Sequence, residues 1–515
     1  MRTYTGILVF LFCLPVFAAE GTENPRLSPI LQAVLKTSDA GKSVGVIAYL
    51  ADEQREGLIR QFRGRHQRRN LVRNLRQNAE RVQKDVQRKL HRLQAKKIHS
   101  LWTLNALAFT ASQEVIEQVS HFPQVQALHL DQSIQLSEPI FKPEGTLEWN
   151  LTLIQAPDMW NAGFTGQGVV VAAMDTGVDG NHLALASGWR GGTNSWFDPY
   201  GQHPDFPYDG HGHGTAVMGI LAGRENRNSA IGVAPGSRWI AVKIFDDENK
   251  ASYSRIHLGF QWLLDPDGDP NTDDAPDIVN NSWGLPDEVN QCFLEFSSDI
   301  DLLRNAGIAV VFAAGNEGPQ SATSISPANN PGSFSIGSVA SSRLISLSSS
   351  RGPAPCLDQV FPNAVAPGVN ILTADLTLNG AFPAASTYLT GTSAAAPHMA
   401  GALALLLSAW PAMETDVFQT VLMESAQDLG DPGPDNMYGW GLINVWTAYQ
   451  ELLHQTTEGD LNGDGMVNLE DVIIFMVYWL EPCQLGEICL ADLNQDGFIN
   501  LADFALLKSH FGLPQ

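Results

Sequence analysis

Four near-continuous apolar runs constrain the fold of this chain more than anything else in it. "GVVVAAMD", "WIAVKIF", "PDIVNNS" and "IAVVFAAGN" all lie in its middle. None alternates polar with apolar residues as a half-solvated strand would. Such runs are expected of parallel strands buried on both faces. Helix-length patterns, "YSRIHLGFQWLL" and "FSSDIDLLRNAG", lie between them. The stretch from about 146 to 453 is therefore predicted to be an α/β unit, a mostly parallel sheet with helices on both faces. In such sheets the ligand crevice lies beyond the carboxyl ends of the strands. Asp175, Asn281 and Asn316 stand just there, each following one of the runs.

A chain of 515 residues is expected to hold two to four domains. Its start, "MRTYTGILVFLFCLPVFAAE", reads as a secretory signal peptide over 1–18. Arg2 supplies the positive start, Ile7 to Leu14 a short apolar core, and Val16-Phe17-Ala18 small residues for cleavage. The core is too short to anchor in a bilayer, as is "MAGALALLLSAW" (Met399–Trp410), which reads as a buried helix. Cys13 lacks the small neighbours of a lipoprotein signal. The mature form is thus expected to be secreted and to have no transmembrane span. Four cysteines remain, Cys292, Cys356, Cys483 and Cys489, enough for two disulfides in an exported chain. Cys483 and Cys489 are close enough to close a small loop, whereas the sequence leaves a Cys292–Cys356 pairing open.

Residues 21–138 differ in charge from the rest. The chain's net charge is −24, yet about half of its 31 Lys and Arg fall between Arg55 and Lys97. Such asymmetry points to two parts that attract each other, or to a basic part that meets another anion. Leu71, Leu75, Val82, Val86 and Leu90 recur at helical spacing. Strand-like "SVGVIAYL" precedes this helix; "LWTLNALAFTA", helical "EVIEQVSHF" and "VQALHLD" follow. A small α+β domain in β-α-β-α-β order is predicted.

Three motifs in the middle unit occur in the order Asp, His, Ser. "DTGVDGNH" begins with Asp175, "HGTAVMGILAG" with His213, and "GTSAAAPHMAG" holds Ser393 ahead of a long apolar helix. A hydroxyl is a poor nucleophile until a neutral imidazole takes its proton, and the imidazole needs a carboxylate to fix its tautomer. "MDTGVD", "GHGT", "NNSWG", "AAGNEGP", "AVAPGV" and "GTSAAAPHMAG" stand in register over roughly 300 residues. With these six motifs the sequence resembles the subtilisin-like serine peptidases, and "NSWFDP" with "GHGHGT" is most similar to their bacillopeptidase F-like branch.

The resemblance implies a serine endopeptidase in which Asp175 orients, His213 is the base and Ser393 the nucleophile. Two histidines compete in "DGHGHGT", and the family's base is the one in His-Gly-Thr. That makes it His213, at a helix start whose dipole favours a neutral ring, and leaves His211 in a loop near the cleft or in solvent. Asn316 is implied as the oxyanion donor. Ser282, Trp283 and Gly284 would pair with a substrate backbone; Gly284 and Gly315 would leave room for its side chain, with Glu317 at the rim. The competing reading of Trp283 is ordinary core packing. Ala394 and Ala216 depart from the family's usual residues outside the triad. "AGRENRNSAIGVAPG" is short beside members with a calcium loop there, which leaves calcium in this unit open. The basic first domain sits where the family carries an inhibitory propeptide, with cleavage expected between about 134 and 148. A nucleic-acid role for its arginines lacks interleaved aromatic residues.

The last part, 458–515, is duplicated: "DLNGDGMVNLED" and "DLNQDGFINLAD" are copies of one twelve-residue pattern. Oxygen-bearing residues fill positions one, three, five, nine and twelve: Asp460, Asn462, Asp464, Asn468 and Asp471, then Asp492, Asn494, Asp496, Asn500 and Asp503. Gly465 and Gly497 supply the turn at position six, and oxygen-only ligands select calcium. Each loop is followed by one apolar helix. The pattern resembles a dockerin, which implies calcium and a cohesin-like scaffold partner. Protein or peptide substrates and the chain's own propeptide complete the implied partners. The alternative is a scaffold-attached binding protein whose peptidase unit is inactive. An α/β-hydrolase esterase would need a Gly-x-Ser-x-Gly elbow and Ser-Asp-His order, and the chain has neither.

Overall fold

The computed structural model describes residues 24–38, 42–136, 140–141, 149–226, 229–356, 360–455, 459–461, 467–479, 491–494 and 498–510. The expected signal peptide with Cys13, most of the expected cleavage span, Cys483, Cys489, Asn462, Asp464, Asp496 and both loop glycines lie outside the described residues.

The middle unit is an α/β fold around a seven-stranded sheet. Its strand order is Ala364–Pro367, Phe334–Val339, Ala309–Ala313, Ile278–Asn281, Val170–Asp175, Arg238–Lys243 and Trp196–Phe197. Every pairing in it is parallel. Alternate residues feed opposite cores, as the pleat requires. Val171, Ala173, Val311 and Ala313 join the apolar cluster under the helices His213–Ala222 and Thr392–Ala409. Ala172, Met174, Val310 and Phe312 join the cluster under Tyr253–Leu264 and Ser297–Asn305. The four apolar runs are central strands, as read. Phe334–Val339, Ala364–Pro367 and Trp196–Phe197 escaped that reading, because they are short or rich in small polar residues.

Thr392–Ala409 is the one helix among the described residues long and apolar enough to cross a membrane, and it is buried at the centre of the fold. Pro397 lies in its interior rather than its first turn. Proline removes the N–H that would pair with the carbonyl four residues back. That carbonyl belongs to Ser393, and the Ser282 hydroxyl donates to it at 3.0 Å. The proline thus ties the start of this helix to the end of the neighbouring strand.

The first unit is a four-stranded antiparallel sheet in the order Lys96–Leu101, Ala106–Ala111, Val44–Leu50, Val125–Leu130. The stretch "LWTLNALAFTA", predicted as one strand, turns back on itself at Asn105, whose φ of 50° is the left-handed conformation asparagine tolerates. Its partner Lys96–Leu101 is too charged to read as a strand. The helix Arg68–Arg92 buries Leu71, Leu75, Val86 and Leu90, and turns arginines toward the middle unit. Arg65 meets Asp277 at 2.9 Å, Arg68 meets Asp273 at 3.3 Å, and Arg76 meets Asp265 at 2.5 Å. The two oppositely charged parts do attract each other.

In the last part the helices Leu469–Val477 and Leu501–His510 pack through Phe475 and Leu507, with Val467, Ala491 and Ile499. Cys292 and Cys356 form a disulfide, the pairing that the sequence had left open.

Candidate active site

Asp175 ends the strand Val170–Asp175, and His213 opens the helix His213–Ala222. Nothing bulkier than glycine fits between them. A Cβ on Gly214 would fall 2.1 Å from the Gly177 carbonyl and 3.0 Å from the Asp175 side chain. With that approach open, His213 Nδ1 lies 2.7 Å from Asp175 Oδ1, both groups almost wholly buried. Asp175 Oδ1 also accepts the Thr176 N–H, and the Thr176 hydroxyl accepts the Gly214 N–H, so strand end and helix start are laced together.

Asp209, which the sequence reading passed over, fixes the loop between the two histidines. Its Oδ1 accepts the N–H groups of His211 and Gly212, and its Oδ2 accepts the N–H and hydroxyl of Thr215. An acid just ahead of a helix was the available signal, since carboxylates satisfy the free N–H groups there. Gly212, at φ 96°, turns the chain into the helix. His211 stays outside this arrangement, its ring centroid 6.4 Å from that of His213.

The His213 imidazole is held above its ordinary range. Burial alone would lower it, but the Asp175 charge and hydrogen bond outweigh burial, with Asp209 adding to them. The helix dipole, expected to favour a neutral ring, is opposed here by the Asp175 charge. At hydrogen-bond distance, a full carboxylate charge exceeds the half-charge of a helix terminus.

Ser393 is the second residue of its helix. It shares a cavity of about 220 Å³ with His213, Asn316, Ser282, Trp283, Gly284, Gly315 and Glu317. Its hydroxyl donates to the Ser282 carbonyl at 3.2 Å. Asn316 Oδ1 accepts from the Thr392 N–H at 2.9 Å and its hydroxyl at 3.1 Å, which leaves the amide N–H₂ as the end offered to the cavity. A Cβ on Gly284 would meet Ile325 at 2.4 Å, and one on Gly315, at φ 109°, would meet it at 2.8 Å. Ile325 thus packs directly against both glycines and lines the pocket with them, a wall the sequence reading missed. Burial raises the Glu317 carboxyl above its usual range. The Trp283 side chain turns into the core, edge-on to Phe296 and Phe312, so only its backbone belongs to the cleft.

The first unit's end reaches this cleft. Ser133–Gln135 pairs antiparallel with Lys250–Ser252, and Leu136 lines the cavity of Ser393. Ile140 and Phe141 pair with Thr390 and Leu389, just before the serine helix. Lys250–Ser252 is three residues long and carries no apolar pattern that would announce it.

In the duplicated part, Asp471 and Asp503 do the same work. Asp471 accepts the N–H groups of Leu461 and Asn468, and Asp503 those of Asn494 and Asn500. Both carboxylates are fully buried, and Asp460 is nearly so. Buried carboxylates closing loops of oxygen donors fit calcium.

Residues 166–441 match the model of the subtilase family, and residues 458–512 that of the dockerin type I domain. Bacillopeptidase F of Bacillus subtilis (strain 168) is 33% identical over 442 residues, which are 78% of this chain and 29% of that protein. Subtilisin E of the same organism is 33% identical over 352 residues, 67% of this chain and 81% of the relative. A subtilisin of Bacillus pumilus is 35% identical over 307 residues, 59% and 99% respectively.

Proposed function

The chain belongs to the subtilase family and is a serine-type endopeptidase; from that premise we propose that Asp175, His213 and Ser393 are its triad, in an exported, self-processing zymogen. The buried 2.7 Å His213–Asp175 pair, opening on the cavity of Ser393, carries the reading. A substrate N–H donated to the Ser282 carbonyl would free the Ser393 hydroxyl for His213. His213 Nε2 takes the hydroxyl proton while Oγ attacks the scissile carbonyl carbon, and Asp175 stabilises the imidazolium. The oxyanion forms opposite the Asn316 amide and the Ser393 N–H. Such a side-chain donor contributes about 2.7–4 kcal/mol, a magnitude measured in subtilisin itself. The C–N bond breaks as His213 returns the proton to the amine. Water then opens the acyl-enzyme by the same route, and Ser393 is restored.

In this reading residues 24–136 belong to the propeptide, docked with their end in the cleft. The C-terminal dockerin module would hold calcium through Asp460, Asn462, Asp464, Asn468 and Asp471 and through Asp492, Asn494, Asp496, Asn500 and Asp503. Calcium, when bound, neutralises these carboxylates and closes the loops. The module's expected partner is a cohesin-like scaffold, which would tether the secreted enzyme. The test is the intact mass and N-terminal sequence of secreted wild type beside Ser393→Ala. Wild type cut between about 134 and 148 with Ser393→Ala uncut supports self-processing; equal maturation of both overturns it.

A further inference from the structure

The pocket beside Ser393 is shallower than its two glycines alone would make it. Gly284 and Gly315 follow neighbouring parallel strands, Ile278–Asn281 and Ala309–Ala313, and both line the cavity of Ser393. Having no side chains, they would leave an open slot between two stretches of backbone. Ile325 fills it. A Cβ on Gly284 would run into Ile325 Cδ1, and one on Gly315 into Ile325 Cγ1. One side chain thus bridges both glycines and closes the slot that they open.

Ile325 has little freedom to move aside. It is 6% exposed, and the backbone on both sides of it is pinned. The Ser324 carbonyl accepts the Asn290 N–H at 2.7 Å, and the Ser326 carbonyl accepts the Leu285 N–H at 2.8 Å. The Ile325 carbonyl accepts the Asn329 N–H at 3.1 Å, while the Ser326 hydroxyl donates to Asn329 Oδ1 at 2.7 Å. A β-branched side chain also has few rotamers to choose from. The surroundings are poor in charge, since His213 and Glu317 are the ionisable groups among the described residues that line the cavity. What the first unit sends toward this cleft is aliphatic. Ile134 and Leu136 pack toward the apolar cluster of Trp283 and Leu285, and Ser133 and Gln135 between them are exposed.

We propose that Ile325 is a specificity-determining residue of this peptidase, restricting the residue on the acyl side of the scissile bond to short aliphatic side chains, from alanine to leucine. The proposal rests on the triad reading above, because Ser393 and Asn316 fix where the attacked carbonyl lies. With its carbon at Ser393 and its oxygen toward the Asn316 amide, that residue would send its side chain between Gly284 and Gly315. A short aliphatic chain ends on Ile325 and covers it from water. The ring of phenylalanine or tyrosine needs the slot that Ile325 occupies, and would have to displace a side chain held by its own backbone. One methylene too many in an apolar pocket is worth roughly 10–200-fold in kcat/KM, and a ring exceeds leucine by more than that.

The test is kcat/KM on peptides that differ only at that residue: alanine, leucine, phenylalanine, tyrosine, lysine and glutamate. The protein is matured by its own action or, where it stays uncut, by limited trypsin. Wild type is expected to cleave after leucine at least about tenfold better than after phenylalanine. Ile325→Gly, which reopens the slot, should raise the phenylalanine-to-alanine ratio of kcat/KM by about tenfold or more. Ile325→Ala should move the ratio the same way by less, and it reads the pocket if the glycine variant does not fold. A merely structural role would lower every substrate together and leave the ratio where it was. A wild type that prefers phenylalanine, a ratio unmoved by either variant, or lysine as the best substrate, which would put recognition at Glu317, overturns the proposal. Cleavage that persists in Ser393→Ala fails the triad reading instead. Product peptides ending in leucine or phenylalanine, titrated into the matured protein by calorimetry, need no turnover. Tighter binding of the leucine product, reversed in Ile325→Gly, supports the proposal in that case too, and equal binding overturns it.

Discussion

Two buried imidazole–carboxylate pairs in this molecule have the same geometry and different surroundings. His213 and Asp175 meet at 2.7 Å, and so do His257 and Asp299. Both imidazoles are held above their ordinary range for the same reason, a carboxylate that outweighs burial. The difference lies at the other ring nitrogen. His257 Nε2 is taken by a second carboxylate, Glu295, which locks the ring as a cation with no work left for it. His213 faces the cavity that holds Ser393 and Asn316, so its second nitrogen is available to a reacting group. A His–Asp pair is thus a device for fixing an imidazole, and what lies beyond the ring decides whether it performs chemistry.

The hardest test of this comparison is to delete each member in turn. Ser393→Ala or His213→Ala is expected to lower kcat about 10⁶-fold, the size of the same losses in subtilisin. His257→Gln should leave kcat of matured enzyme essentially intact, measured by active-site titration. If it fell as far as His213→Ala, the distinction between the pairs would collapse.

Asp175→Asn sharpens the comparison next. Without the carboxylate the ring loses both its fixed tautomer and the interaction that raises it, and a loss of about 10⁴-fold in kcat is expected. The pH profile carries the specific signature. Activity needs neutral His213, so kcat/KM of wild type should fall as pH drops through a value above the ordinary imidazole range. In Asp175→Asn that acid limb should move to lower pH. A limb that stayed in place would assign it to another group.

The second pair should register in stability instead. Because His257 titrates near 10 when folded and in the ordinary range when unfolded, its contribution is complete below about pH 6.5 and lost as pH rises toward 10. Urea unfolding of the uncut Ser393→Ala chain should therefore show stability declining over that interval. Removing one partner of a buried ion pair costs about 3–5 kcal/mol, so His257→Gln should be less stable by that order at pH 6, and flatter with pH.

These pairs also show which parts of the molecule could be read beforehand. Asp175, His213 and Ser393 were legible because each sits where a buried run ends or begins, within short motifs whose spacing is local. The periodic helix Arg68–Arg92 and the central strands were legible for the same reason. His257 was invisible: in "YSRIHLGFQWLL" it occupies a core-facing position and looks like packing. Its partners Asp299 and Glu295 come from one later segment, and Tyr49, bonded to Glu295, from the first unit, so only the tertiary fold assembles them. Ile325 opposite Gly284, and the strand Lys250–Ser252 beneath Ser133–Gln135, were hidden likewise, since neither has a local pattern and both act by position.

His211 gives the smallest expected effect and the finest test of what a neighbouring imidazole is worth. It lies two residues from His213, and proximity in sequence would make it a rival base. The fold separates them. The His211 backbone N–H is spent on Asp209, and its ring lies 6.4 Å from that of His213, outside the His213–Asp175 pair. The fixed loop geometry comes from the Asp209 carboxylate and not from the His211 side chain. His211→Ala should therefore change kcat/KM by no more than about twofold, the scale of substitutions away from packed or paired features. Asp209→Asn, measured beside it, should do more harm, because it removes a charge that helps raise His213 and weakens four hydrogen bonds at the helix start. If His211→Ala proved the more damaging of the two, the ring would have a role in tuning or in proton transfer, and the base would have to be described as two histidines acting together.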